Sequence, residues 1–157
     1  MSQTLAQLRR LSQQRKLRPI RRIVQKSGTS CGVACVAMLA RLSYRDAMRC
    51  GEEVFSKEEW EAGHRTLSYD LRRMLAELGW KLGYQVRCAD WEKVPPDSLV
   101  AVQWKQQKGM EATWHWVICT EDAEGRFVLD PRATVKTVKR RELQRLRLAW
   151  YHRVTGR

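Results

Sequence analysis

The chain has 157 residues, a formal net charge of +13, seven Trp and five Cys. That length supports one domain with a real core, or two small lobes sharing a cleft, and no apolar run is long enough to cross a membrane. The cysteines are an odd number, scattered without a dense framework, which fits free thiols in a reducing compartment. The expected location is therefore the cytoplasm, and export by a dedicated secretion system or delivery into a host cell is compatible with the same composition.

Charge is unevenly placed. Residues 1–45 hold ten Lys/Arg and no acid, residues 46–125 hold fifteen acids against ten bases, and residues 126–157 hold ten bases against two acids. Basic ends around an acidic middle suit an anionic partner or internal pairing once the chain folds. No helix-turn-helix, zinc-finger or RNA-binding motif accompanies the charge, so nucleic acid is not the expected partner.

In chain order, Leu5, Leu8 and Leu11 predict a short amphipathic helix, ended by Pro19. Residues 1–19 read as a basic N-terminal arm or helix, more readily than as a transit peptide, and 20–157 as a single domain. Residues 20–26 read as extended. Thr29 or Ser30 is placed to cap a helix over 31–42 that is apolar almost all round, hence buried. Ser43 opens a further short helix to about Arg49, and Ser56 begins a helical turn with acids in its first turn. From Ser68, the residues Leu71, Met74, Leu75 and Leu78 lie on one helical face, and Gly79 stops the helix. Strand-like patterns follow over 80–88, 98–105, 114–120, 126–130 and 134–138, with a short helix over 141–146 and a last strand over 148–154. Helices first and strands later imply an α+β fold with two layers and a groove between them.

The stretch "VQKSGTSCGVACVAMLARL", residues 24–42, puts Cys31 at the first turn of the buried helix. Orphan N–H groups there stabilise a thiolate, the nucleophilic form. Gly28 and Gly32 leave room for a substrate backbone. The N–H of Cys31 and the amide of Gln25 are together suited to a developing oxyanion. Taken alone, a free Cys is as readily a small buried residue. The partner for a nucleophile comes from "TWHWVICTEDAEGRFVLDPR". Strands over 114–120 and 126–130 form a hairpin around "EDAEG". With Thr120 and Arg126 flanking the turn, offset by one residue, His115 falls opposite Asp130 and both project from one face. Trp116, Ile118, Phe127 and Leu129 project from the other, toward the core. A carboxylate beside an imidazole orients it and steadies the imidazolium. A slip of one residue would spoil the pairing.

These residues resemble the papain-like peptidase domain that removes double-glycine leaders in bacteriocin-exporting bacterial ABC transporters. The likeness rests on Gln25 six residues before Cys31-Gly32, on the small and apolar helix that follows, on "RTLSYDLRRMLAELGWKL", and on "HWVI" followed by "LDP". It covers roughly residues 20–155. It implies a helical lobe with the Cys helix packed on an antiparallel sheet lobe carrying His and Asp. It further implies Cys31 as nucleophile, His115 as general base and acid, Asp130 as orienting residue and Gln25 as oxyanion amide, with a peptide or protein substrate and no cofactor. The family usually carries an acid where this chain has Ser30. No transporter sequence follows, so a free-standing peptidase is expected, with double-glycine specificity left open.

The same machinery suits Gln deamidation or acyl transfer, as in effector or toxin enzymes. A catalytically silent basic binding module is the reading from another class. Trp114, Trp116 and Gly28 are candidate walls of the substrate groove, and the basic surface suits an acidic substrate. Cys31 and Cys35 lie one helical turn apart and with His115 imitate part of a metal site, but no fourth ligand is evident and no metal is expected. Cys50, Cys88 and Cys119 read as buried thiols, His152 as structural, and His64 as part of a surface turn.

Overall fold

The computed structural model describes residues 3–156. The helices are α1 (Leu5–Gln14), α2 (Cys31–Ala40), α3 (Tyr44–Val54), α4 (Lys57–Glu61) and α5 (Ser68–Glu77). The strands are β1 (Trp80–Leu82), β2 (Val86–Arg87), β3 (Ser98–Lys105), β4 (Thr113–Asp122), β5 (Gly125–Leu129) and β6 (Leu148–Gly156). The sheet is antiparallel with strand order β1-β6-β3-β4-β5, and β2 pairs with β6 beyond β1. The chain is α+β, as its order of helical and strand-like patterns implies.

Gly32 to Ala40 are all buried, so α2 is a core helix. It packs on β4, α5 packs on β1, and both helices pack on α3. The main core lies between helices and sheet, where Val36, Met38, Leu71 and Leu75 meet Leu99, Trp116, Ile118 and Leu129. The other sheet face is covered by chain around Val94 and Leu146, which closes on Val100, Val117, Cys119 and Val128. Alternate residues of β4 thus enter separate cores, as a strand covered on both faces requires.

α1 is part of the body. Its N-terminus is closed by a capping box between Thr4 and Gln7. Leu8 is fully buried, and Ser12 Oγ donates to Ala40 O (2.6 Å) while accepting from Trp80 Nε1 (2.8 Å). Arg41 ends α2 in the left-handed conformation, φ 57°, two residues earlier than the apolar pattern suggests.

Several sequence expectations are corrected. The stretch 80–88 is two short strands, both paired with β6: Leu82 faces Val154 and Val86 faces Tyr151, so four steps of this chain oppose three of β6 and the ladder is interrupted over 83–85, although the Gly83 N–H still donates to Arg153 O. Residues 134–138 form no strand; their neighbour Arg140 makes a single bridge to Val128. The helix expected over 141–146 is one 3-10 turn, Leu143–Arg145. Cys88 is half-exposed, whereas Cys50 and Cys119 are buried. The β4–β5 hairpin pairs Asp122 with Gly125 and Thr120 with Phe127. Pairing runs further into the turn than expected, leaving only Ala123 and Glu124 as the loop, which shifts the register by two residues. An even shift keeps every side chain on its face. Ile118 and Leu129, directly paired, therefore still share the helix-side core with Trp116 and Phe127.

Candidate active site

The site lies where the N-terminus of α2 meets β4. Ser30 is the N-cap residue but makes no side-chain cap. Its hydroxyl turns back to Ser27 instead, accepting from Ser27 N–H (3.2 Å) and donating to Ser27 O (3.2 Å). The first N–H groups of α2 are thereby left facing Cys31 rather than a cap, which is the arrangement that favours an anion. Burial pushes the Cys31 thiol up. The hydrogen bond and charge of His115 and the backbone N–H groups of Trp116 and Gly32 outweigh it, and the thiol ends below its ordinary value. Cys35, Cys50 and Cys119 go the other way, pushed up by burial, Cys50 to about 12 and Cys119 to about 11.

His115 sits on β4 opposite Val102, beside the point where β3 loses register with both neighbours. Gln103 there takes φ 56°, a local bulge of the kind that re-aims side chains near sites. His115 Nε2 meets Asp130 Oδ1 at 2.7 Å, and both residues are buried. In the observed register Asp130 continues β5 diagonally across from His115, within reach of side chains on one face. With Nε2 held by Asp130, Nδ1 is the nitrogen left for the hydrogen bond to Cys31. Burial alone would lower the His115 value; Asp130 and Cys31 raise it above ordinary. Asp130 is held down to about 2, because its bonds to His115, the Arg132 N–H and Arg140 overcome the cost of burial.

Sequence reasoning did not find the residues that fix Asp130. Arg140 Nη1 donates to Asp130 Oδ2 at 2.6 Å, and Arg132 N–H donates to Oδ1 at 2.9 Å. Arg22 Nε donates to Asp130 O at 2.7 Å, and its Nη2 reaches Arg132 O and Val135 O. Arg22 and Arg140 lie in the two basic end segments, and the tertiary fold brings the first to the backbone carbonyl of Asp130 and the second to its carboxylate.

Gln25 is buried beside this loop. Its N–H donates to Pro131 O (2.7 Å), and its Nε2 donates to Ser27 O (2.8 Å). Its Oε1 is buried without a partner among the described residues. Among the described residues the amide N–H₂ makes one hydrogen bond, to Ser27 O, and Gln25 is not among the residues lining the Cys31 cleft. Cys31, Gly28, Trp114 and Trp116 line a cleft of about 110 Å³, with Thr66 on the facing side. A Cβ at Gly28 would meet nothing within 4 Å, whereas one at Gly32 would lie 1.9 Å from Thr66 Oγ1. Gly32 is therefore required by packing and Gly28 is not. Trp116 is fully buried, with its Nε1 donating to Thr66 O (2.9 Å), so it is core as well as wall; Trp114 is half-exposed. His152 is enclosed between Ser68 Oγ and Gly83 O, away from the cleft. His64 stacks edge-on against Trp60 in a turn at φ 49°.

No protein-family model matches the chain, and no curated protein matches it significantly. Among solved structures, the peptidase domain of Streptococcus ComA, a bi-functional ABC transporter involved in a quorum sensing pathway, superimposes with a TM-score of 0.59. The match has 14% identity and covers 88% of this chain and 99% of that one. The fold is that of a papain-like peptidase domain. A double-glycine motif protease from an AMS/PCAT transporter, solved in complex with the leader peptide, superimposes with a TM-score of 0.52 at 14% identity, over 86% of this chain and 90% of that one. At this identity the papain-like likeness is one of fold, and function rests on the residues of the site. No helix among the described residues is long and apolar enough to cross a membrane.

Proposed function

We propose that the protein is a cysteine hydrolase that cleaves a peptide or protein substrate. One observation carries the reading: the Cys31 thiol stands at an uncapped helix N-terminus, held below its ordinary value by an imidazole whose Nε2 meets a buried, ionised Asp130. The solved neighbour in complex with a leader peptide supports a peptide substrate.

In this mechanism Cys31 Sγ attacks the scissile carbonyl as the thiolate, with His115 as imidazolium. The N–H of Cys31 and the other N–H of the Gln25 amide hold the oxyanion. His115 gives its Nδ1 proton to the leaving amine, which departs and leaves a thioester. It then takes a proton from the water that hydrolyses the thioester, releasing the acid and restoring Cys31. Asp130 keeps the ring oriented and stabilises its charged form throughout. The charge of +13 would steer an acidic substrate toward the cleft.

The test is to expose wild type and Cys31→Ala to a peptide library and read the products by mass spectrometry. New termini formed by the wild type alone are the expected result. Gln-to-Glu conversion without chain cleavage would assign the same site to deamidation. An unaltered library would overturn the hydrolase reading.

A further inference from the structure

At the opposite end of α2 from Cys31 lies a cavity of about 550 Å³ whose lining includes Arg15, Arg18, Arg21 and Arg41 together with apolar Ile23 and Met38. Four guanidinium groups around one cavity repel each other unless something neutralises them. Among the described residues none of the four forms a salt bridge, and no acid lines the cavity. Residues 1–45 contain no acid, and among the described residues the one carboxylate whose charge reaches the group, Asp97, acts on Arg41 without a salt bridge to it.

The fold explains two of the four. Arg41 donates to Leu39 O (2.5 Å) and Arg18 O (3.0 Å) and stacks over Trp80, while Arg15 donates to Arg41 O (3.3 Å). Both thus satisfy carbonyls at the C-terminal end of α2, where cations are favoured. Arg18 and Arg21 are exposed, and their guanidinium groups make no hydrogen bond among the described residues. Their charge is left over after the helix end has been satisfied.

We infer that this cavity is a second binding site, taking a polyanionic phosphorylated small molecule. The guanidinium fork matches phosphate oxygens two at a time, and two uncommitted forks in one cavity call for at least two phosphates. The volume falls within the range of small-molecule sites, roughly 300–1,000 Å³. Ile23 and Met38 offer an apolar wall for a ring, so a nucleoside di- or triphosphate fits the lining better than a bare anion. The site shares no lining residue with the Cys31 cleft, and the inference stands whether or not the protein is a hydrolase.

The experiment is calorimetric titration of the full-length protein with pyrophosphate, ATP and citrate, with phosphatidylglycerol vesicles as a separate arm. Wild type should show one saturable site for pyrophosphate and ATP, with ATP the tighter. The charge reversal Arg18→Glu/Arg21→Glu should weaken binding roughly tenfold or more, the scale expected when charge-assisted bonds become repulsions. The reversal Lys105→Glu/Lys108→Glu, with the same change in net charge on exposed residues of another region, should leave affinity within about twofold. Pyrophosphate should also raise the melting temperature of wild type and not of the Arg18/Arg21 variant. If the double variant fails to fold, Arg21→Gln alone should still weaken binding measurably. Equal weakening by both reversals, absence of saturation, citrate binding tighter than pyrophosphate, or uptake by vesicles alone would each overturn the proposal.

Discussion

The two ends of α2 are finished in opposite ways. At the C-terminal end the backbone is closed: Arg41 turns left-handed, its N–H returns to Ala37 O and Met38 O, Leu39 O is taken by Arg41, and Ala40 O is taken by buried Ser12. At the N-terminal end the residue placed to cap does not cap, and its hydroxyl is spent on Ser27. A helix end left open inside a protein is normally a cost. Here the open end coincides with a thiol held below its ordinary value. One end of the helix is built for stability and the other for a negative charge.

The sharpest way to break that comparison is Cys31→Ala. Loss of a nucleophile should remove hydrolysis by roughly a thousandfold or more. The variant should stay folded, because Gly32 to Ala40 remain buried in the core whatever the side chain at position 31. The same end should also show itself without substrate. Iodoacetamide at pH 6, mapped by mass spectrometry, should label Cys31 well ahead of the other four thiols. Uniform slow labelling would remove the thiolate–imidazolium pair.

Next in size is Gln25→Ala. Loss of one oxyanion donor should lower turnover about a hundred- to a thousandfold with little change in substrate affinity. Unchanged turnover with lowered stability would make Gln25 a strut between Ser27 and Pro131 instead.

Asp130→Asn sharpens the comparison through pH. Asp130 is depressed to about 2, so its contribution is fully present above the ordinary Asp value and is lost as pH falls through about 2. His115 is raised, so its contribution is present below the ordinary His value and is lost as pH rises through the raised one. The Asn variant should lose about 2 kcal/mol near neutral pH, the worth of Asp130's displacement from its ordinary value. Its stability should fall less steeply in acid, and Cys31 labelling at pH 6 should slow. Urea unfolding across pH 2–7 reads the first two effects. An unchanged acid limb would mean that Asp130 is not tied to the fold by its charge.

The smallest effect belongs to the closed end. Ser12→Ala removes the donor to Ala40 O and the acceptor of Trp80 Nε1, both buried. It should cost about 1–3 kcal/mol, the scale of leaving buried polar groups unpaired. The rate of Cys31 alkylation should not move. A large change in that rate would show that the two ends of α2 are not energetically separate.

Much of this was legible in the residues. An all-round apolar stretch can only be a buried helix, and a Cys at its start can only sit among free N–H groups. The alternation of Trp116, Ile118, Phe127 and Leu129 put His115 and Asp130 on one face of the hairpin, and a register error of two residues could not undo that, since the strand period is two. What the sequence could not settle was which long-range partner each polar group would find. An apparently continuous strand over 80–88 is interrupted after Leu82 because it carries one residue more than the stretch of β6 it pairs with. Residues 134–138 have strand-like alternation but pair with no neighbouring strand. The basic ends are not a free surface throughout: Arg22 and Arg140, more than a hundred residues apart, close on Asp130, while α1 enters the core through Leu8 and Ser12. Periodicity is a local property, and a short chain segment is enough to display it. The partner of a charge depends on the whole topology, because Arg offers the same five donors wherever it falls in the sequence.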